Sequence, residues 1–145
     1  MAIGVQVVFD CADPDGLAHF WARALGYKLQ DPPPGYRSWE DWARDNGIPE
    51  ERWNDQSAVV DPDGIGPRLY FQRVPEPKTV KNRVHLDLNI SGGPFAAPLE
   101  ERRAKIDAEV ERLLGLGATR LRVGEERGQY WVVMQDPEGD ELCVH

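Results

Sequence analysis

The sequence predicts an α+β fold assembled from two copies of a strand–helix–strand–strand–strand unit. Three observations predict it. The turn Asp61-Pro62-Asp63-Gly64 returns as Asp136-Pro137-Glu138-Gly139, 75 positions later (61 to 136). Each turn follows an apolar stretch and precedes a short closing strand. Both halves open with a strand pattern that runs into a helical one. In each turn Pro fixes φ and Gly supplies the positive-φ position.

In the first half, Val5 to Asp10 is short and β-branched, and reads as a strand. Asp13 is a good N-cap, Pro14 suits the first helical position, and Asp15 lies beside the positive helix end. Leu17, Phe20, Trp21 and Leu25 follow at helical spacing as a buried stripe, and Gly26 ends the helix. Ser57 to Val60 reads as a strand before the turn, and Arg68 to Val74 as the strand after it.

In the second half, Val84 to Ile90 alternates apolar and polar residues, which gives a strand two different faces. Leu99 to Leu114 reads as a helix carrying Ile106, Val110, Leu113 and Leu114 on one face. Gly115 and Gly117 stop it. Ala118 to Val123 and Gln129 to Gln135 read as strands, and the second turn leads into Glu141 to His145.

One segment has no counterpart. Residues 36–55 contain Trp39, Trp42 and Trp53. Ser38 with Asp41 is a weak capping box and Gly47 a stop, so a short helix is expected there. Two readings stand for its aromatic residues: a covering of the sheet edge with the Trp rings in the core, or a wall over a ligand site.

A chain of 145 residues fits one domain, since domains typically run ~100–200 residues. The expectation is a single domain over 1–145, with a first module of about 1–78 and a second of about 79–145. Cys11 and Cys143 lie far apart and form no Cys-x-x-Cys pair, which suits a reducing compartment. No apolar run is long enough to span a membrane, and the first ten residues lack the pattern of a signal peptide, so a cytoplasmic location is expected. The formal net charge of −8 argues against nucleic acid as a partner. Lys78, Lys81 and Arg83 read as a solvated connector between the halves. There is no Gly-x-Ser-x-Gly elbow, no Gly-rich phosphate loop and no His-Glu-x-x-His helix.

Four stretches carry a family resemblance: Asp10-Cys11-Ala12-Asp13-Pro14 running into Phe20-Trp21; Phe71-Gln72-Arg73-Val74-Pro75-Glu76; Lys81-Asn82-Arg83-Val84-His85-Leu86-Asp87-Leu88; and Asp136-Pro137-Glu138-Gly139 to Cys143-Val144. In this order they resemble the vicinal-oxygen-chelate superfamily, which includes glyoxalase I, bleomycin-resistance proteins and extradiol dioxygenases, and within it a glyoxalase-like branch common in actinobacteria. The resemblance implies two βαβββ modules forming an eight-stranded half-open barrel, or cup, with the helices outside. It also implies a small-molecule site in the cup, and a homodimer.

In the metal-using families, four strand positions facing the cup hold His, Glu or Gln. The resemblance places Gln6 and His85 at the first-strand positions, and Tyr70 and Cys143 at the last-strand positions. Tyr and Cys replace the expected carboxylates, a poor set for a hard divalent cation. No metal or other cofactor is therefore favoured. If one binds, His85, Gln6 and Cys143 are the candidate ligands.

Strand parity groups Gln6, Val8 and Asp10, then His85, Asp87 and Asn89, then Glu141, Cys143 and His145. Of these, Gln6, Val8, Asp10, Asn89, Glu141 and Cys143 join Trp39, Trp42, Tyr70 and Trp131 in the expected ligand pocket, and His85 and Asp87 are the candidate catalytic pair. His85 and Asp87, two apart on a strand, stand either as an imidazole oriented by a carboxylate, hence a general base, or as a satisfied polar pair. The leading functional expectation is a binder of a small aromatic or polar organic molecule without a standard metal centre. The alternative is a metal-dependent lyase, isomerase or dioxygenase around His85. A third reading is a metal-independent acid–base enzyme using His85 and Asp87.

Overall fold

Asp13 joins the first strand to the first helix. The computed structural model describes residues 1–145, with β1 at Val7–Cys11 and α1 at Pro14–Leu25. The Asp13 carboxylate accepts the Gly16 N–H at 3.2 Å, capping a helix whose first residue is Pro14. The remaining elements of this half are β2 (Lys28–Leu29), α2 (Trp39–Asp45), a 3-10 segment (Glu50–Asp55), β3 (Gln56–Val60) and β4 (Leu69–Arg73). The second half contains β5 (Leu86–Leu88), α3 (Leu99–Gly115), β6 (Thr119–Glu126), β7 (Gln129–Gln135) and β8 (Glu141–Val144).

Contacts within the chain separate two units, Met1–Pro77 and Lys78–His145. Each unit holds one four-stranded mixed sheet, ordered β1-β4-β3-β2 in the first and β5-β8-β7-β6 in the second. In both, the first strand runs parallel to the last, and the other neighbours are antiparallel. Neither sheet closes on itself into a barrel. This is the duplicated α+β unit that the paired turns predict.

Alternation along the strands divides each sheet into two faces. In the first unit Leu69 and Phe71 are fully buried, as are Leu17 and Trp21 of α1. Phe9 lies between Phe71 and Trp21, with its ring centroid 5.2 Å from each. Arg68, Tyr70 and Gln72 therefore project from the opposite face. In the second unit Ile106, Val110 and Leu113 of α3 are buried together with Val132, Met134, Leu142 and Val144. Asp87 and Cys143, which are direct neighbours in register, take the other face.

The carboxylates of both turns add something that Pro and Gly do not. Asp61 accepts the N–H groups of Asp63, Ile65 and Gly66 at 2.9, 3.1 and 2.7 Å. Asp136, itself buried, accepts those of Glu138 and Asp140 at 2.9 and 3.0 Å. Each Asp thus gathers backbone donors that the turn would otherwise leave open.

Several boundaries differ from the sequence pattern. No strand is predicted between Gly26 and Tyr36, yet β2 forms there as a two-residue edge paired with Val59 and Val60. It is too short to show a periodicity. Instead of Val84–Ile90, β5 covers Leu86–Leu88, because its parallel partner β8 offers only Leu142 to Val144 in register. Strand β6 runs on to Glu126, since Arg127 and Gly128 both take positive φ (52° and 73°) and close a tight hairpin into β7. The helix predicted inside 36–55 is α2, and Ser38 caps it by accepting the Asp41 N–H at 3.1 Å.

Two stability outcomes follow. The N–H groups of Gly66, Asp63 and Ile65 hold the Asp61 carboxyl below its usual range. Its folded value is depressed, so its stabilising effect is complete above the ordinary carboxylate value. The effect fades as pH falls and is gone below the folded value. Asp61→Ala should lower the melting temperature at neutral pH, with the gap to wild type narrowing in acid. At Gly124 an added Cβ would overlap the Trp131 ring. Gly124→Ala should therefore destabilise by about 1–3 kcal/mol in a denaturant titration, the usual range for overpacking.

Candidate functional site

Each unit holds one group of side chains with functional potential. In the first unit a cleft of about 1010 Å³ is lined by Trp39, Trp42, Trp53 and Tyr70, with Gln30, Arg68 and Asp55 among its polar residues. Helix α2 buries only Ala43 and the 3-10 segment buries nothing, so the three insertion Trp residues lie on the cleft wall and outside the core. Trp39 and Trp42 meet edge to face, with centroids 5.5 Å apart at 81°. Trp39 Nε1 donates to the Gln30 carbonyl at 2.7 Å, and Trp53 Nε1 to the Ile48 carbonyl at 2.9 Å. The Arg44 guanidinium lies 5.0 Å from the Trp53 ring.

The segment is tied down at its far end. Asn54 Nδ2 donates to Asp13 Oδ1 at 2.8 Å, and Asn54 Oδ1 accepts the Asp15 N–H at 2.8 Å. The Asn54 and Gly16 donors hold the Asp13 carboxyl below its usual range. The Trp wall is thus anchored to the start of α1.

The polar face of the first sheet holds Val8, Asp10 and Tyr70, as parity predicts, with Val8 directly beside Tyr70. Asp10 accepts from Gln72 Nε2 at 2.7 Å. The Tyr70 hydroxyl donates to Gln56 Oε1. Gln6 lies just before β1, and its amide oxygen, the atom a metal would use, accepts from Arg68 Nη1 at 2.7 Å.

In the second unit His85, Asp87 and Cys143 converge. Their ligand atoms all lie within 4.8 Å of one another. His85 Nε2 is 3.1 Å from Asp87 Oδ1, and His145 Nε2 approaches the other oxygen, Oδ2, at 3.3 Å. One carboxylate therefore stands between two imidazoles. Both contacts have an ion-pair distance without hydrogen-bond geometry, and the His145 ring nitrogen is shielded from solvent. Burial pushes the Cys143 thiol above its usual range, and the neighbouring Asp87 charge adds to the rise.

The donor set tests which metal could sit here. Imidazole, carboxylate and thiolate together suit a borderline cation such as zinc better than a hard one. The three groups fit such an ion. Glu141 is drawn off by Lys81, which pairs with it at 2.5 Å and holds its carboxyl below the usual range. Asn82 accepts the Glu141 N–H at 3.2 Å. Lys81 and Asn82 thus belong to the second unit and are tied to its β8. Asn89 is exposed beyond β5, and the Trp131 ring lies against Gly124.

Arg68 and His145 are the functional candidates that the sequence reading passes over as site residues. Each lies two positions from a chosen residue, Tyr70 and Cys143 respectively, so strand parity marks both.

A family profile described as a glyoxalase-like domain matches residues 6–145. No curated protein matches the chain. Among solved structures, a glyoxalase/bleomycin resistance protein/dioxygenase family enzyme from Burkholderia phytofirmans PsJN is 14% identical, with a TM-score of 0.60 over 96% of this chain and 94% of that one. A mutant of the fosfomycin resistance protein FosX from Listeria monocytogenes, complexed with Mn(II) and 1S,2S-dihydroxypropylphosphonic acid, is 11% identical. Its TM-score is 0.61 over 100% of this chain and 90% of that one. The bleomycin-binding protein of Streptomyces verticillus, complexed with copper(II)-bleomycin, is 16% identical, with a TM-score of 0.53 over 99% and 95% of the two chains. At these identities the likeness shows the fold.

The thiol geometry has a chemical consequence. Cys143 should react slowly with iodoacetamide at neutral pH, because only the thiolate is nucleophilic. Asp87→Asn removes the neighbouring negative charge and should speed the reaction severalfold, read as alkylated peptide by mass spectrometry. A rate equal to wild type would show that the carboxylate does not act on the thiol.

Proposed function

The chain belongs to the glyoxalase-like domain family, and on that premise we propose that it binds a small organic molecule with an aromatic or polar body. The observation that carries this reading is the Trp-walled cleft of the first unit. Its volume of about 1010 Å³ lies at the top of the ~300–1,000 Å³ range usual for small-molecule sites. Trp rings offer large, rigid contact areas with little rotamer entropy to lose. The bleomycin and the dihydroxypropylphosphonic acid carried by two structures of this fold are in keeping with a small-molecule ligand. The reading includes one domain over the whole chain, supported by the span of the family match, and a homodimer. It also includes a cytoplasmic setting, supported by two cysteines that form no disulfide.

A second reading is favoured by the His85, Asp87 and Cys143 group. These residues would hold a divalent metal, and the metal would supply Lewis acidity toward a substrate oxygen. This chain's own part would be to supply these three donors and to give up the Cys143 proton. Without metal, His85 beside Asp87 at 3.1 Å would be the imidazole of a general base.

Two measurements separate these readings. Aromatic ligands should quench Trp fluorescence, and Trp42→Ala should weaken their binding by about threefold to tenfold, given ~0.5–1.5 kcal/mol per aromatic pair. Unchanged affinity would remove the cleft from the account. Elemental analysis of protein purified without chelator should find no stoichiometric metal. A content near one zinc per chain, lost in both His85→Ala and Cys143→Ala, would transfer the function to the second reading.

A further inference from the structure

Arg68 is the unusual charge of the first unit. Its Nε donates to Gln30 Oε1 and its Nη1 to Gln6 Oε1, both at 2.7 Å. The guanidinium carbon lies 5.2 Å from the Tyr70 ring centroid. Two neutral amides and an aromatic face thus hold the group in place, and no carboxylate pairs with it. The other basic residues on the cleft differ. Arg52 pairs with Asp55 at 2.9 Å, and His19 lies 3.4 Å from Asp15. Glu40, exposed in the first turn of α2, is the one acidic lining residue without an ion pair.

A guanidinium has five N–H donors. Only two are engaged here, so the Nη2 edge stays open. Amide acceptors fix the fork without neutralising it. The full charge is left for an incoming acceptor, in the planar geometry that suits carboxylate, sulfonate or phosphonate oxygens. This half-buried cation has no carboxylate partner, although the chain's formal net charge is −8.

We propose that the cleft selects organic anions: Trp39, Trp42 and Trp53 take a planar aromatic body, and the open edge of Arg68 takes its acidic group. This rests on the reading of the cleft as a ligand site. Gln6 and Gln30 are positioning residues, since they reach the ligand only through Arg68.

The test uses a matched pair of probes, 2-naphthoate and neutral 2-naphthamide, titrated by Trp fluorescence into the wild-type chain and Arg68→Gln. Wild type should bind the naphthoate about tenfold or more tightly than the amide, the worth of a charge-assisted hydrogen bond. Arg68→Gln should erase that preference while amide affinity stays within about twofold. Gln6→Leu keeps the charge and frees one side of the fork, so it should reduce the preference without abolishing it. It serves as the test if Arg68→Gln does not fold by circular dichroism. Equal binding of both probes by wild type, or a preference that survives Arg68→Gln, overturns the anion proposal and leaves the cleft standing. Failure of both probes to bind removes the cleft and the proposal together.

Discussion

The burial of Leu69 and Phe71 against α1 is the interaction on which the first unit turns. A strand cannot bury two residues on one face without sending those between and beside them to the other. Arg68, Tyr70 and Gln72 are committed to the opposite face by that packing alone. The same constraint in the second unit buries Leu142 and Val144 and so sends Cys143 and His145 to the face that carries Asp87. A slip of one residue in β4 or β8 would exchange core for site. The carboxylates of Asp61 and Asp136 gather the backbone donors of the turns leading into those strands, and so oppose such a slip.

The two units then differ in what they place on the free face. The first builds a neutral hydrogen-bonded lattice of Gln6, Gln30, Gln56 and Gln72 around one guanidinium, one carboxylate and one phenol. The insertion adds a Trp wall, anchored through Asn54 to the α1 cap. The second gathers imidazole, carboxylate and thiol into a tight group with metal-ligand chemistry. A repeat of one backbone plan thus carries two chemistries. Fold likeness at 11–16% identity therefore says little about which one the protein uses.

Much of the fold was legible in the residues. Asp13-Pro14 marks the start of α1 and Ser38 that of α2, because caps work through local hydrogen bonds. The α3 stripe of Ile106, Val110 and Leu113 shows its period directly. β2 did not show, because two residues carry no period, and the end of β6 did not, because its turn residue Arg127 has positive φ without the usual Asn or Gly. At the site, parity grouped Val8 with Asp10 and His85 with Asp87 within their strands, whereas the register that sets Val8 beside Tyr70 and Asp87 beside Cys143 depends on pairing between distant segments and was not legible. Gln6 held a different surprise. Its position reads as a metal ligand, yet its oxygen serves Arg68, a partner 62 residues away in sequence that no local pattern reveals. Whether the insertion Trp residues belong to core or wall was likewise undecidable from spacing, since both uses need the same ring types.

The most direct measurement is a set of indole N–H spectra recorded while 2-naphthoate is added to ¹⁵N-labelled protein. The five Trp residues report on distinct places: Trp39, Trp42 and Trp53 on the cleft, Trp21 in the core under the first sheet, and Trp131 on the second sheet. A ligand in the cleft shifts the resonances of the three insertion residues and leaves Trp21 and Trp131 in place. Movement of Trp131 with the insertion resonances unmoved would contradict the account and place binding on the second unit.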